Sequence, residues 1–183
     1  MGAQLWYHET SWHPDPAMAL KTFQVRFMGE KYDLSTLLPQ HLANARKAVA
    51  LTEAEGDPYE LLEMYQKQVR LLEQLCSQPI PQDLEGQIEF LRKISAYSGE
   101  GIGNVLDVTG ISERRSIHAT QRLRESEMIR LVGTERPTRA QAKKAIYKIN
   151  EELGRGECVC FPIYDAGEKN QAVGWYFVGN TID

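Results

Sequence analysis

The sequence predicts a mainly α protein of the α+β class: an N-terminal bundle of helices, a central segment of shorter elements, and a C-terminal helix followed by a β-hairpin. Three observations predict it. Apolar residues recur every three or four positions through most of the chain up to Leu153. Capping and breaking residues stand at the ends of those stripes. Beyond Gly156, aromatic and β-branched residues take over on either side of a polar loop.

Taken in order, Gln4 to His8 reads as a short strand, with Trp6, Tyr7 and Trp12 available to pin the N-terminus to the body. A first helix runs from Pro16 to about Met28, opened by Pro14-Asp15-Pro16 and ended near Gly29. The second is expected to begin near Pro39, where a first-position proline sacrifices no hydrogen bond, and to align Leu42, Ala45 and Val49 before Gly56. The third has Asp57 to cap it, Pro58 at the first position and Glu60 at the capping-box spacing. Its stripe is Leu61, Tyr65, Val69, Leu72 and Cys76, and Pro79 and Pro81 end it. The fourth spans about Asp83 to Ser98, with Leu84, Ile88, Leu91 and Ile94 facing inward. Thr138 and Gln141 have capping-box spacing for a later helix bearing Ala142, Ile146, Ile149 and Leu153, closed by Gly154 and Gly156. Cys158–Tyr164 and Ala172–Val178 form the hairpin strands around Asp165-Ala166-Gly167-Glu168-Lys169-Asn170.

With 183 residues, 42% hydrophobic and 25% charged, the chain can bury a sizeable core. Its net charge of −4 excludes coating of nucleic acid by bulk electrostatics. Three cysteines are too few and too odd for a disulfide framework. No apolar run reaches the roughly 20 residues of a membrane span, and Met1-Gly2-Ala3-Gln4-Leu5-Trp6 lacks the order of a signal peptide. A cytoplasmic protein is expected. Charge is uneven, however: residues 110–148 carry ten basic and four acidic side chains. The domains are expected at 1–80, a helical region for packing, dimerisation or sensing, and at 81–183.

Residues 88–132 carry the most informative pattern. Ile88 to Ala96 reads as a helix, Ile102 to Val108 as a shorter one, Thr109-Gly110-Ile111-Ser112 as a tight turn, Glu113 to about Ser126 as a third helix, and Met128-Ile129-Arg130-Leu131-Val132 as a strand. Gly110 permits the left-handed turn, Ile111 plugs the corner, and Ser112 caps the helix after it. This succession resembles the winged helix-turn-helix domains of bacterial transcription regulators. Val105-Leu106-Asp107 stands where their second helix packs, and Leu123 followed by Met128-Ile129 matches their helix-to-strand exit. Because Pro137 and the Thr138 helix follow, the second wing strand would come from the terminal hairpin.

The resemblance implies duplex DNA as partner, in transcription or replication control. Ile117 and Leu123 would face the core, leaving Glu113, Arg114, Arg115, His118, Gln121 and Arg122 to the major groove. Arg130, Arg136 and Arg139 would reach phosphates from the wing. A homodimer would match a two-fold operator, and the N-terminal helices could take a protein partner. The alternative is an adaptor whose winged-helix-like domain contacts protein rather than DNA.

Other sites read more plainly as structure. Cys158 and Cys160 would share one strand face and could meet His8 and His13 around zinc, but their spacing fits no standard finger and buried apolar cysteines are the simpler reading. Gly99-Glu100-Gly101-Ile102-Gly103 lacks phosphate-loop spacing. Neither Cys76 nor His41 has an evident partner, and no acid/base pair is recognisable. No enzymatic activity, metal or cofactor is expected.

Overall fold

A computed structural model of the protein describes residues 4–56, 59–99, 102–168 and 171–181. The chain divides into two compact units, one of residues 1–24 with 103–183 and one of residues 25–102. The boundary expected at residue 80 is therefore replaced by an insertion. The reason is pairing: the first strand joins the last one, while the fourth helix packs on the second and third.

In the first unit, five strands form one sheet among the described residues: β1 (Leu5–Ser11), β2 (Gly110–Ser112), β3 (Ala119–Arg122), β4 (Cys158–Tyr164) and β5 (Ala172–Asn180), in the order β1-β5-β4-β3-β2. The expected hairpin is present as antiparallel β4 and β5, with Cys158 opposite Gly179, and β1 adds to its outer side. Lys169 and Asn170 of its loop lie outside the described residues. β2, β3 and β4 are mutually parallel. Between β3 and β4 the chain makes two helices, α5 (Glu125–Val132) and α6 (Arg139–Glu152). Here α1 to α4 denote Pro16–Lys31, Leu34–Glu55, Tyr59–Cys76 and Leu84–Ser98.

Period-two alternation splits the sheet's side chains between two faces. Val159, Phe161 and Ile163 of β4 and Tyr176 and Val178 of β5 pack with Leu123, Met128 and Leu131 and with Ala142, Ile146 and Ile149 of α6. The other face carries Cys158, Cys160, Trp175 and Phe177, all buried. Near it, Phe23 of α1 meets His8 at 5.1 Å, and the buried Gln24 amide donates to the carbonyls of Val105 and Val108 at 2.7 Å each. That clamp satisfies backbone groups that a full helix would have paired internally.

The second unit contains α2, α3 and α4. Their stripes bury Leu38, Ala45, Leu72, Leu75, Ile88, Leu91 and Ile94. α2 starts five residues before Pro39, because Asp33 caps it by accepting from Ser35 N at 3.0 Å and also takes the Ser35 and Thr36 hydroxyls. Those bonds hold the Asp33 carboxyl below the usual carboxylate range. Pro39 thus sits inside the helix. Gly56, at φ 68°, ends α2 as expected. Asp57 and Pro58, expected to start α3, lie outside the described residues. Asp83 caps α4 through Gly86 N at 2.6 Å.

The central segment departs most from expectation. Ile102–Val108 holds only one 3-10 turn, Val105–Asp107. Gly110-Ile111-Ser112 is a strand rather than a turn, and residues 113–126 are not a helix but a loop, β3 and the start of α5. Ser112 Oγ accepts from Arg114 N at 3.1 Å, which forms a local turn that competes with helix initiation. Thr120, fully buried in β3, donates its hydroxyl to Cys158 Sγ at 2.9 Å. Met128–Val132, expected as a strand, is helical because its burial follows a three-residue step: Met128 and Leu131 are inside and Ile129 is 49% exposed. Glu127 accepts from Arg124 N at 2.9 Å and Gly133, at φ 88°, closes the helix. The helix, turn, helix and strand expected over residues 102–132 are thus a 3-10 turn, two short strands and α5.

Candidate functional site

The residues expected to meet DNA are dispersed by this fold. Arg115 turns toward the end of α6, donating to the Glu152 carbonyl and to Gln121 Oε1 (3.3 Å), with the carboxylates of Glu152 and Glu157 at 3.7 and 3.8 Å. Gln121 itself is buried. Arg130 pairs with the Glu152 carboxylate and, as its hydrogen-bond donor, holds that carboxyl below its ordinary range. Arg139 pairs with Glu9 of β1 at 2.5 Å. His118 is exposed in a left-handed conformation, φ 65°, its carbonyl accepting from Thr109 N at 2.7 Å and its N–H reaching Gly156 O at 3.3 Å. Arg114 is exposed in the loop after β2. Arg115, Gln121 and Arg130 thus gather around Glu152, while Arg122 and Arg136 line one cleft.

They meet at the carboxyl ends of β2, β3 and β4, where a cleft of about 430 Å³ opens. Ligands of parallel-strand folds commonly occupy this place, since the strands end there and the next loops diverge. Arg122 and Arg124 leave the end of β3 on either side of buried Leu123, whose N–H continues the pairing to Cys160 O at 2.9 Å. Glu113 follows β2, and Glu125 opens α5. Glu135 and Arg136 come from the loop before α6, which Tyr164 N ties to the sheet through Pro137 O at 2.8 Å. Met128, Pro162 and Tyr164 supply the less polar wall.

Arg122 is the best-positioned of these cations. Its guanidinium carbon lies 5.3 Å from the centroid of the Trp175 ring, which in turn stacks on Trp12 at 5.4 Å and 11°. A guanidinium over an indole gains about 0.5–1 kcal/mol where solvent reaches it and loses side-chain freedom. Trp175 is fully buried and donates its N–H to His13 O at 2.9 Å, so the platform is fixed.

Arg122, Arg124, Glu113, Glu125 and Glu135 form no ion pair among the described residues. These five thus line one cleft without forming ion pairs with one another, and Arg136 lines it with them. Of the six charged residues, sequence reasoning marked Arg122 and Arg136 as site residues and gave Glu113 to the groove-facing side of a helix. It missed Arg124, Glu125 and Glu135, although Arg122-Leu123-Arg124 already has the alternation of a strand end.

The cysteines belong to the core. Burial raises the Cys158 thiol to about 12 and pushes the Cys160 thiol well above its ordinary value, so both stay protonated at neutral pH. Among the described residues no group of three or more His, Cys, Asp or Glu converges as a metal site. No described helix is long and apolar enough to cross a membrane. Glu100 and Gly101 of the glycine-rich loop lie outside the described residues. Comparison with protein families, with curated proteins and with solved structures finds no match for this chain.

Proposed function

We propose that the sheet-bearing unit is a binding module for a small charged molecule, held in the cleft at the carboxyl ends of β2, β3 and β4. The observation that carries this reading is the unpaired state of Arg122, Arg124, Glu113, Glu125 and Glu135 around one cavity of about 430 Å³. Charges of opposite sign that face the same cleft without pairing offer a ligand hydrogen bonds it need not first break. The volume falls in the usual range for small-molecule sites, roughly 300–1,000 Å³. Binding, not catalysis, is the activity proposed.

A thermal-shift screen of small molecules sorted by charge tests it. A ligand present at about a hundred times its Kd stabilises by about 2.7 kcal/mol. The stabilising compounds should be charged, should weaken at high salt, and should lose their effect in Arg122→Ala and Arg124→Ala. Hits that are uncharged, or that ignore both substitutions, would refute the reading.

Duplex DNA is the second reading, favoured by the surplus of six positive charges over residues 110–148 and by the exposure of Arg114, Arg124 and Arg136. A two-fold homodimer and a role in transcription control go with it, and an adaptor that contacts protein rather than DNA is its alternative. Glu113, Glu125 and Glu135 weigh against it, since carboxylates beside the arginines repel a polyanion. Salt-sensitive binding of a mixed duplex pool that falls in Arg114→Ala would support DNA; no binding at low salt would exclude it.

A further inference from the structure

The helical unit leaves part of its own hairpin uncovered. α2 and α3 run antiparallel, since Arg46 reaches Glu73 at 2.7 Å while Val49 and Gln66 line one groove. α4 packs on both and ends at Gly99, where an added Cβ would stand 3.0 Å from the Gln68 amide nitrogen. α3 buries Leu72 and Leu75, but Leu61, Leu62, Tyr65 and Val69 stay half-buried. Beside them lies a groove of about 290 Å³, lined by Val49, Val69, Gln66, Arg46 and Arg70.

Charge is ordered along this hairpin. On α2, Arg46 and Lys47 precede Glu53 and Glu55; on α3, Glu60 and Glu63 precede Lys67 and Arg70. Because the helices are antiparallel, the four acids gather at the end marked by Glu55 and Tyr59, and the four bases lie farther from it. Arg46 is engaged by Glu73, whereas the acids and Lys47, Lys67 and Arg70 form no ion pair among the described residues. A second copy turned end for end about a two-fold axis sets acids beside bases, while two copies aligned the same way would oppose like charges.

The groove gives an independent check on where that axis falls. Glu53 follows Arg46, and Arg70 follows Glu63, by seven residues, which is two turns and about 10 Å along one side of each helix. The midpoint of the first pair is beside Val49 and that of the second beside Gln66, and these two residues line the groove together. One axis through the groove therefore serves both helices.

We propose that the protein forms a two-fold dimer through this groove, α2 and α3 of each copy lying end for end on those of the other, with Val49 and Val69 near the axis and Glu63 of each copy beside Arg70 of its partner. The result is a four-helix arrangement in which the half-buried side chains of both hairpins close on each other. Exposed ion pairs add little affinity, so the apolar closure supplies attraction and the charge order selects the orientation. The dimer depends neither on the cleft nor on DNA.

Sedimentation equilibrium of the full chain over a concentration series tests it, with Arg70→Glu, Glu63→Arg and an equimolar mixture of the two variants. Both positions are exposed, and circular dichroism checks that each variant folds. The parent should dimerise. Either variant alone opposes like charges across the axis and should raise the dissociation constant about tenfold or more. The mixture should recover the parent's affinity, because each variant then meets opposite charge on the other; a merely unfolded variant could not be rescued in this way. A parent that stays monomeric at every concentration, variants that dimerise as the parent does, or a mixture no tighter than its components would each overturn the proposal.

Discussion

Substituting Arg115 separates a structural role from a groove-contacting one. Its guanidinium reaches the Glu152 carbonyl, Gln121 Oε1 at 3.3 Å, and two carboxylates at 3.7 and 3.8 Å, with only 28% of the side chain exposed. A charge-assisted bond to a backbone carbonyl contributes about 1.5–3 kcal/mol. The longer ion pairs add about 0.2–1 kcal/mol each at this exposure. Arg115→Ala should therefore cost about 2–5 kcal/mol, and at roughly 3 °C per kcal/mol for a chain of this size, about 6–15 °C in Tm. The assay is urea unfolding followed by tryptophan fluorescence. All three tryptophans, Trp6, Trp12 and Trp175, lie in the sheet-bearing unit, so the signal reports that unit. Arg115→Lys should recover less than half of the loss, because an ammonium cannot reproduce the fork. A loss below about 1 kcal/mol for Arg115→Ala would show that these contacts do not anchor the β2–β3 loop to α6.

Other substitutions probe the same unit. A methyl group at Gly174 would stand 2.4 Å from the Thr10 carbonyl oxygen, so Gly174→Ala should cost about 2–3 kcal/mol and speed amide exchange in β1; unchanged exchange would contradict the close approach. His118→Gly should leave urea stability within about 1 kcal/mol of the parent, whereas His118→Val should lose more than that, because β-branched residues resist a positive φ. With intact protein at neutral pH a thiol reagent should modify exposed Cys76 alone, and in urea all three cysteines; fast labelling of Cys158 or Cys160 in the native protein would overturn their assignment to the core. Desolvation lowers the His8 pKa below 6.5, so the unfolded chain binds the proton more readily. Stability from neutral His8 is complete above pH 6.5 and declines as pH falls below it. Against His8→Gln the parent should lose ground on acidification, and parallel pH profiles would contradict this.

The legible parts of the fold are those whose signals are local. α3 is legible from its stripe, α4 from its stripe and the Asp83 cap, and the β4–β5 hairpin from composition, because each satisfies its backbone bonds within a short stretch of chain. α5 was equally local but misread. Glu125 and Glu127 in its first turn, Arg130 in its last and Gly133 beyond are start and stop residues, yet Met128–Val132 also fits a strand alternation. β2 and β3 were hidden for a different reason. They are three and four residues long, and parallel pairing draws their partners from distant sequence: Ile111 beside Thr120, and Thr120 beside Cys158. No local propensity encodes a partner 38 residues away. Asp33 and Pro39 both offer a helix start, and the helix uses the Asp33 cap and carries Pro39 inside it.

That misreading has a consequence for function, since period determines which charges share a surface. On a helix, Arg114, Arg115, His118, Gln121 and Arg122 would follow one stripe, and the basic surplus would form one cationic face. On the observed backbone, Gln121 and Arg122 are successive residues of a strand and leave opposite sides of the sheet. Gln121 and Arg115 then serve the α6 side, where Glu152 and Glu157 take up the arginine's charge. Arg122 goes to Trp175 and the cleft, which Glu113, Glu125 and Glu135 also line without an ion pair to its guanidinium. A polyanion senses the summed field over about a Debye length, roughly 8–10 Å, and there the acids nearly cancel the arginines. A small molecule inside the cleft instead meets each charge separately. On the proposed reading the charges that line the cleft serve short-range recognition rather than long-range attraction, and salt dependence distinguishes the two: a shallow slope of log Kd with log salt for a cleft ligand, against a loss of several charges' worth for bound duplex.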